Sequence, residues 1–241
     1  AVATAAVREA KNGDEFVRRV RDELGLPLQV ISTEHEAQLS WRSVRHHFRL
    51  DNTKSIIADI GGGSLELVGA VDGLVEMSRS LPYGAVRLTE QFLPGKRAAH
   101  REVAALRRHL GKRLTRQLPK RAWMGARIIG SGGTFTNLGR MAVARRGGDP
   151  NEPVHGIEVS VAEVEHLVEW LSTRTALQRR SVPGLNPERA DIILAGLTVI
   201  ASVLERLDAG SVTVSAYGLR EGLLWEMVGA SADTAPAVDP M

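Results

Sequence analysis

The stretch SIIADIGGGSLELVGA, residues 55–70, restricts the possible folds more than any other part of the sequence. Two apolar runs, 55–60 and 65–70, are joined through three consecutive glycines. Short apolar runs bounded by turn residues are typical of buried strands. The next run, LVEMSRSLPYG, places apolar residues at alternating positions. We therefore expect an antiparallel meander over residues 55–82.

The glycines Gly61, Gly62 and Gly63 exceed what a two-residue hairpin turn requires. Without Cβ atoms, successive backbone amides can face one anion. Asp59 and Glu66 flank the turn, and carboxylates repel phosphate unless a cation bridges them, as Mg²⁺ does. The residues leave two interpretations open, a phosphate site and a plain hairpin turn. A P-loop is excluded because GxxxxGK[ST] is absent, and a dinucleotide fingerprint because a strand-like run follows the glycines.

A second glycine turn lies in IIGSGGTFTNL, where a strand leads into a helix. The free amides and the dipole at a helix N-terminus attract anions. The alternative is that Thr134 only caps the helix. Two such turns in one chain favour phosphate more than either turn does by itself.

The order of elements predicts a layered α/β domain with a mixed sheet: one βα unit, the meander, several helices and two further βα units. We expect the helix over 187–207 to be the central buried one, because it is the most apolar. The other expected elements are a helix from Asp14, a strand in 26–32, helices at 33–48, 85–95, 101–118 and 161–172, a connector at 152–160, a strand at 211–216 and a helix at 217–228.

Composition narrows the function classes. The 241 residues contain no cysteine, which excludes disulfides and zinc–thiolate sites and fits a cytoplasmic protein. No apolar run approaches the ~20 residues that span a bilayer, so we expect no membrane partner. The net charge of +3 suits anionic ligands, whereas an aromatic content of 4% leaves few rings to stack on bases. We therefore expect no nucleic-acid partner.

Several motifs together resemble one family. ADIGGGSLELV, SLPYGAVRLTE, GSGGTFTNL, PERADIILAG and YGLREGLL occur in the order found in the exopolyphosphatase / guanosine pentaphosphate phosphohydrolase (Ppx/GppA) family. The resemblance covers nearly all of residues 1–229. It implies an RNase-H-like lobe of the actin/Hsp70/sugar-kinase fold, with a mixed sheet and flanking helices. It also implies Mg²⁺-dependent release of terminal phosphate from polyphosphate, or of the 5′ γ-phosphate from pppGpp, by a homodimer.

The resemblance carries roles over to individual residues. Asp59 and Glu66 resemble the metal-binding carboxylates, and Glu36 resembles the glutamate taken as catalytic base. The residues that resemble phosphate ligands are Arg8, Gly61, Gly62, Gly63, Ser64, Gly130, Ser131, Gly132, Gly133 and Thr134.

Glu36 has a competing structural interpretation. Thr33-x-x-Glu36 fits a capping box, in which the glutamate bonds back to the amide of the N-cap residue. As a general base, the same carboxylate would activate water for in-line attack on phosphorus.

The resemblance also shows a departure. Family members begin with roughly a hundred further residues that hold another phosphate loop, and some carry larger C-terminal helical domains. We therefore expect residues 1–30 to be the end of a first lobe with its crossover, 31–229 a second lobe, and 230–241 a flexible tail. We also expect this chain by itself to be inactive. The alternatives are an ATP-using kinase or ATPase of the same superfamily and a non-catalytic phosphate-binding module.

Three further groups of charged residues have ordinary structural explanations. Arg45, His46 and His47 are adjacent on a helix and point apart, which favours a solvated face over a metal site. The basic face of 101–121 either attracts polyphosphate or nucleotide or is only solvated. Glu188, Arg189 and Asp191 are expected to be capping charges at the start of a helix.

Overall fold

The computed structural model describes residues 1–95 and 97–229. A mixed sheet forms its centre, with β1 and β2 paired separately as a two-stranded parallel sheet. The strands are β1 (Val2–Ala3), β2 (Gln29–Val30), β3 (Lys54–Ile60), β4 (Leu65–Val71), β5 (Leu74–Leu81), β6 (Arg127–Ser131), β7 (Glu158–Ser160) and β8 (Ser211–Val214). The helices are α1 (Ala5–Arg8), α2 (Gly13–Leu24), α3 (Thr33–His47), α4 (Ala85–Phe92), α5 (His100–Gln117), α6 (Lys120–Trp123), α7 (Gly133–Arg145), α8 (Val161–Ser172), α9 (Ala176–Arg179), α10 (Ile193–Leu207) and α11 (Leu219–Met227).

The strand order in the main sheet is β5-β4-β3-β6-β8-β7. The first three strands are antiparallel neighbours, which confirms the predicted meander. Strands β6 and β8 then add in parallel to β3, and β7 closes the far edge antiparallel to β8. A meander followed by parallel strands is the order of an RNase-H-like lobe, so the predicted fold class is confirmed.

Each face of the sheet packs on its own set of helices, because alternate side chains of a strand point to opposite faces. Ile56, Ala58 and Ile60 of β3 belong to a core shared with α4, α5, α7, α8 and α10. Ile57 joins a smaller core with residues of α3, such as Val44. Asp59 has the same parity as Ile57, so it lies on the α3 side of the sheet.

The expected central helix over 187–207 is divided. Pro187–Arg189 forms a 3-10 helix, in which the Asn186 side chain accepts a hydrogen bond from the Glu188 amide, and α10 starts only at Ile193. Because Arg189 belongs to the 3-10 helix and not to α10, the axis of α10 does not set the orientation of its side chain. Burial of α10 is confirmed, since nearly every residue from Ile193 to Leu207 is buried.

Four other expectations need correction or limitation. The predicted connector over 152–160 contains the edge strand β7, and the strand expected in 26–32 has only two residues. The helix from Asp14 is confirmed as α2, but its apolar face is exposed at Phe16 and Leu24. The predicted tail, 230–241, lies outside the described residues. None of the helices in the described part of the chain is long and apolar enough to cross a membrane.

Candidate active site

The glycine turn between β3 and β4 is held from behind by the first turn of α4. The carbonyl of Gly61 accepts a hydrogen bond from the Ala85 amide at 2.9 Å, and that of Gly62 accepts from the Val86 amide at 3.0 Å. The Gly63 carbonyl accepts from the Gly84 amide at 3.2 Å and from Arg87 Nε at 3.0 Å. Arg87 is itself ion-paired with Glu9. The N-terminal amides of α4 thus fix all three carbonyls of the turn.

This arrangement leaves backbone donors on the other side of the turn. Within residues 1–95 and 97–229, the amides of Gly62, Gly63 and Ser64 donate no hydrogen bond to another protein group. A peptide amide points away from the carbonyl of the same peptide plane, so amides opposite fixed carbonyls share one direction. Successive amides with one direction form an anion-binding nest.

Neither the backbone conformation nor the neighbouring protein atoms strictly require glycine at the three positions of this turn. None of the three glycines has a left-handed φ. A Cβ on Gly61 would lie 3.7 Å from its nearest neighbour, and one on Gly63 would lie 3.4 Å from Ala5 Cβ. Both are ordinary contacts, whereas Gly62 is tighter at 3.3 Å from Val86 Cγ2. Close approach of a ligand to bare backbone explains the glycines better than turn geometry does.

A row of polar side chains crosses four strands beside the turn. Asp59 of β3 is paired with Glu66 of β4 and with Ser131 of β6, and Glu66 is paired with Ser80 of β5. The hydroxyls of Ser131 and Ser40 donate to Asp59 Oδ2 at 2.9 and 3.1 Å, and Ser80 donates to Glu66 Oε1 at 3.1 Å. Two residues further from the glycine turn on β3, β4 and β6, the same face carries Ile57, Val68 and Ile129. The row therefore marks the point where the α3-side core ends and the site begins.

Burial makes these carboxylates difficult to ionise. It raises the pKa of Glu66 to about 7, with the negative charges of Asp59 and Glu36 adding to the shift against a hydrogen bond from Ser64. Burial also raises the pKa of Asp59, although hydrogen bonds from Ser131 and Ser40 and the charge of Arg189 oppose the shift. Two neighbouring carboxyls with raised pKa values are typical of a functional site that gains a cation or a proton.

Glu36 lies on the first turn of α3 and faces the same space. Arg8 Nη1 donates to Glu36 Oε2 at 2.7 Å and to the carbonyl of Ile31 at 2.7 Å. Burial raises the pKa of Glu36, and the hydrogen bond from Arg8 opposes the shift. The competing interpretation of Glu36, a Thr33–Glu36 capping box, is wrong, because Ser32 is the N-cap and its hydroxyl accepts from the His35 amide at 3.2 Å. The carboxylate of Glu36 is therefore not used for capping.

The second glycine turn supplies a helix N-terminus to the same space. Gly132 has a φ of +85° and caps α7 without a side-chain hydrogen bond. A Cβ there would lie 2.4 Å from Asp59 Oδ1, and one on Gly133 would lie 2.2 Å from Arg189 Nη2. Glycine at 132 and 133 thus lets β6 and α7 approach the carboxylate and the guanidinium.

Sequence reasoning missed four residues of the site or gave them another role. Arg189 was expected to cap a helix, but its guanidinium lies over Gly133. Arg220 and Glu221 belong to the first turn of α11, where Glu221 Oε2 accepts from the Gly218 amide at 2.7 Å. Ser40 follows Ala37 and precedes Val44 on the buried stripe of α3, and a hydroxyl on an apolar stripe was the available signal.

These elements enclose a cleft of about 530 Å³. Most predicted residues line it, while Ser131 reaches Asp59 from the floor and Arg8 lies behind Glu36. Gly130 and Thr134 do not line it: a Cβ on Gly130 would lie 2.0 Å from the Phe135 ring, and Thr134 is buried against Gly196. The lining residues are Thr4, Ala5, Ala6, Glu36, Ser40, Asp59, Ile60, Gly61, Gly62, Gly63, Ser64, Glu66, Gly132, Gly133, Thr136, Arg189, Ala216, Gly218, Leu219, Arg220 and Glu221.

The carboxylates of the cleft suit Mg²⁺ only when a phosphate ligand and water complete its coordination. In the described part of the chain, no group of three or more His, Cys, Asp or Glu side chains is arranged to hold a metal. Asp59 and Glu66 are nevertheless cross-strand neighbours in the cleft. Mg²⁺ commonly takes one or two carboxylates and completes its octahedron with water and phosphate oxygens. The pair fits that pattern.

We expect Glu66 to lower stability as pH rises. Its native pKa of about 7 exceeds its ordinary value of 4.5, so the native state binds more protons than the unfolded state between those pH values. The free energy of unfolding should therefore fall by up to roughly 3 kcal/mol from pH 5 to pH 8 through this group. Urea denaturation of Glu66→Gln should show a flatter pH dependence, while Glu76→Gln, an exposed glutamate on β5, should follow the parent. Equal pH dependence in all three proteins would contradict a raised pKa at Glu66.

The sequence model of the Ppx/GppA phosphatase family matches residues 1–231. The chain is 35% identical over 237 residues to "Exopolyphosphatase 1" of Mycobacterium leprae, covering 97% of this chain and 69% of that protein. It is 31% identical over 243 residues to "Exopolyphosphatase 1" of Mycobacterium tuberculosis H37Rv, covering 99% of this chain and 70% of that protein.

Solved structures give the same result. The crystal structure of the Aquifex aeolicus member of the Ppx/GppA family superposes with a TM-score of 0.79 at 31% identity, covering 94% of this chain and 72% of that one. An exopolyphosphatase from Cytophaga hutchinsonii, at 24% identity, shares the fold with a TM-score of 0.85 over 97% of this chain and 76% of that one. With its glycine turns, carboxylate row and strand order, the chain belongs to the Ppx/GppA phosphatase family.

Proposed function

We propose that the cleft hydrolyses phosphoanhydrides and releases the terminal phosphate of inorganic polyphosphate or the 5′ γ-phosphate of pppGpp. One observation carries the proposal: α4 fixes the carbonyls of Gly61–Gly63, so the amides of Gly62, Gly63 and Ser64, which donate to no group in the described part of the chain, meet the N-terminus of α7 in one cleft with the buried Glu36. The names of the mycobacterial relatives support polyphosphate as the substrate.

Phosphate recognition follows from the donors. The amides of Gly62, Gly63 and Ser64 and those at the start of α7 suit the non-bridging oxygens of a terminal phosphate. Arg189 adds a positive charge on the same side. The family resemblance also proposes Arg8 as a phosphate ligand. Its Nη2 is buried without a hydrogen-bond partner among the described residues, but Arg8 lies behind Glu36 and is not among the residues that line the cleft.

Glu36 is the group proposed to move the proton. Its carboxylate takes a proton from the attacking water while the water oxygen forms a new bond to the terminal phosphorus. The bridging P–O bond on the opposite side breaks, and the shortened chain leaves with the bridging oxygen. Arg8 holds the carboxylate through Oε2, so Oε1 is the oxygen available to water.

Asp59 and Glu66 are proposed to hold Mg²⁺, which would offset phosphate charge when bound. The serine hydroxyls on Asp59 Oδ2 leave Oδ1 directed toward Gly132 and the α7 N-terminus. Burial raises the pKa values of both carboxyls, and a bound divalent cation would neutralise the pair and lower these pKa values.

Two expectations from the family resemblance remain proposals. We infer a homodimer in the cytoplasm, which light scattering and cell fractionation would test. We also infer that residues 1–241 by themselves are nearly inactive and release phosphate at a negligible rate, because Gly61, Gly62 and Arg220 in the cleft are exposed and water weakens electrostatic catalysis.

Single-turnover assays with the protein in excess make a slow rate measurable and test the function directly. At least one of labelled polyphosphate and labelled pppGpp should lose terminal phosphate in the presence of Mg²⁺, and ATP should not. Cleavage of ATP alone would replace the proposal with an ATPase or kinase. Binding of polyphosphate without any release would replace it with a non-catalytic phosphate module.

Asp59→Asn tests the metal role. The parent melting temperature should rise more with tripolyphosphate and Mg²⁺ together than the two separate increases combined, because ligand and cation complete one site. The variant should lose most of this extra stabilisation. Asp51→Asn, at an exposed turn, is the matched control and should keep it. An equal Mg²⁺ response in Asp59→Asn and the parent would remove the metal role.

A further inference from the structure

We propose that α5 carries a binding site for an extended polyanion, a chain of phosphates longer than the cleft can hold. The site is a basic stripe formed by Arg101, Arg108, Lys112 and Arg116. The proposal rests on the proposed function, because it names long inorganic polyphosphate as the ligand that reaches both the stripe and the cleft.

The four side chains share one face of the helix. Their spacings of 7, 4 and 4 residues, at about 100° per residue, keep them within an arc of roughly 80°. With a rise of 1.5 Å per residue they extend over roughly 22 Å. All four residues are exposed, while Leu106, Leu110 and Leu114 bury the opposite face. The geometry is a straight row of cations rather than a cluster.

The stripe is not neutralised by the protein. In the described parts of the chain, none of its four members forms an ion pair or a side-chain hydrogen bond. Other cations of the same region do, since Arg107 donates from Nη1 to Glu165 at 3.0 Å and Lys120 lies 3.5 Å from Asp208. The only acidic residue of α5, Glu102, accepts a hydrogen bond from the Ala99 amide at the helix start. Unpaired cations in a row attract a mobile polyanion.

The direction of α5 connects the stripe with the cleft. Arg206, at the C-terminal end of α10, donates to the carbonyls of Leu118 and Thr115. The C-terminal ends of α5 and α10 therefore lie together. The N-terminal end of α10 lies near the cleft, since a Cβ on Gly196 would lie 2.6 Å from Thr134 in the first turn of α7, and α7 begins at the cleft. Helix α5 therefore begins on the cleft side, and the stripe leads away from the cleft along the helix.

Polyphosphate fits this surface better than nucleic acid does. The helix contains no Phe, Tyr or Trp on which a base could stack, and stacking supplies much of the affinity for single strands. Inorganic polyphosphate offers charge alone, which is all that the stripe can recognise.

The test compares two chain lengths and two sets of substitutions. Binding of tripolyphosphate and of polyphosphate about a hundred phosphates long is measured by calorimetry at several salt concentrations. The stripe variant is R101Q/R108Q/K112Q/R116Q, and the control K11Q/R18Q/R19Q/R21Q removes the same charge from exposed positions around α2. The slope of log affinity against log salt concentration reports the number of phosphates neutralised, because each contact to a single strand contributes roughly 0.7 to that slope.

We expect the stripe variant to bind the long chain at least tenfold more weakly than the parent, with tripolyphosphate affinity unchanged. The slope of its long-chain log affinity against log salt concentration should be smaller by about 3, since four contacts are lost. The control should retain both affinities within about twofold. Equal losses in the two variants would mean that only net charge matters, and an unchanged long-chain affinity would leave the stripe merely solvated. If single-stranded RNA at equal phosphate concentration binds as tightly as polyphosphate through the stripe, the ligand class is wrong. Absence of tripolyphosphate binding in the parent would instead refute the proposed function.

Discussion

Glu36→Gln is expected to slow phosphate release by about 10²–10⁴-fold, the range typical of a lost general base. Glutamine keeps the shape of the side chain and can still accept the hydrogen bond from Arg8, but it cannot take a proton from water. Substrate affinity should change little, because the amides and cations of the cleft are untouched. Single-turnover release of labelled phosphate and calorimetric affinity, measured on one preparation, separate the two effects.

The pH profile gives this prediction a second readout. Burial raises the pKa of Glu36, so the parent rate should increase with pH as the carboxyl loses its proton. The residual rate of Glu36→Gln should lack that dependence. A residue that served only to pair with Arg8 would change stability and leave both the rate and its pH profile near those of the parent.

Arg8→Gln provides the matched comparison. It removes the same 2.7 Å ion pair from the other side while leaving the carboxylate in place. If Glu36 is the base, Arg8→Gln should retain far more of the rate than Glu36→Gln, although its loss also raises the pKa of Glu36. Equal loss in both variants would assign the effect to the ion pair and not to proton transfer.

The sheet and the glycine turn could be predicted because their signals are local. A two-residue period with turn residues at the ends specifies a meander, and the glycines stand between strands whose pairing follows from the turn itself. The same period places Asp59 and Glu66 as cross-strand neighbours. The carboxylate pair was thus accessible from sequence.

The cap of α3 shows where local rules stop. Ser32 and Thr33 are adjacent hydroxyl residues, and either can begin a helix. The observed start at Ser32 is accompanied by two bonds from Arg8, to Ile31 and to Glu36, across 23 and 28 residues of sequence. A pattern over four residues cannot include that contact, so the capping-box interpretation placed the N-cap one residue too late.

Arg189 was misjudged for a related reason. A charged residue at the start of an apolar helix is usually a cap, and only the break between the 3-10 helix and α10 directs it toward Gly133. Arg220 and Ser40 likewise come from elements far apart in the chain. Their shared cleft depends on how α3, α10 and α11 pack on the sheet, which no periodicity encodes.

Gly84→Ala is expected to abolish measurable phosphate binding, with an affinity loss of at least about 100-fold. Gly84 is the N-cap of α4 and has a φ of −71°, so alanine is compatible with its backbone conformation. Its Cβ, however, would lie 2.3 Å from the backbone of Gly62 and Gly63. Backbone atoms cannot rotate away, so the turn or α4 must move by about an ångström, as in other overpacked sites.

That movement should damage binding more than folding. The hydrogen bonds from α4 to the three glycine carbonyls keep the amides pointing into the cleft, and a shift of this size breaks them. Overpacking usually costs about 1–3 kcal/mol of stability, which leaves an ordinary domain folded. Calorimetry with tripolyphosphate and urea denaturation of the same sample measure the two quantities.

Gly111→Ala is the control, since it adds the same methyl to an exposed glycine of α5 with no atom within 4 Å. It should leave phosphate affinity unchanged and stabilise the protein by up to ~1 kcal/mol through helix propensity. Arg87→Gln gives an intermediate test that adds no atoms near the turn: it removes the bond to the Gly63 carbonyl and should weaken phosphate binding several-fold. Parental phosphate affinity in both Gly84→Ala and Arg87→Gln would mean that the amides do not need α4 behind them, and the glycine turn would no longer be the phosphate site.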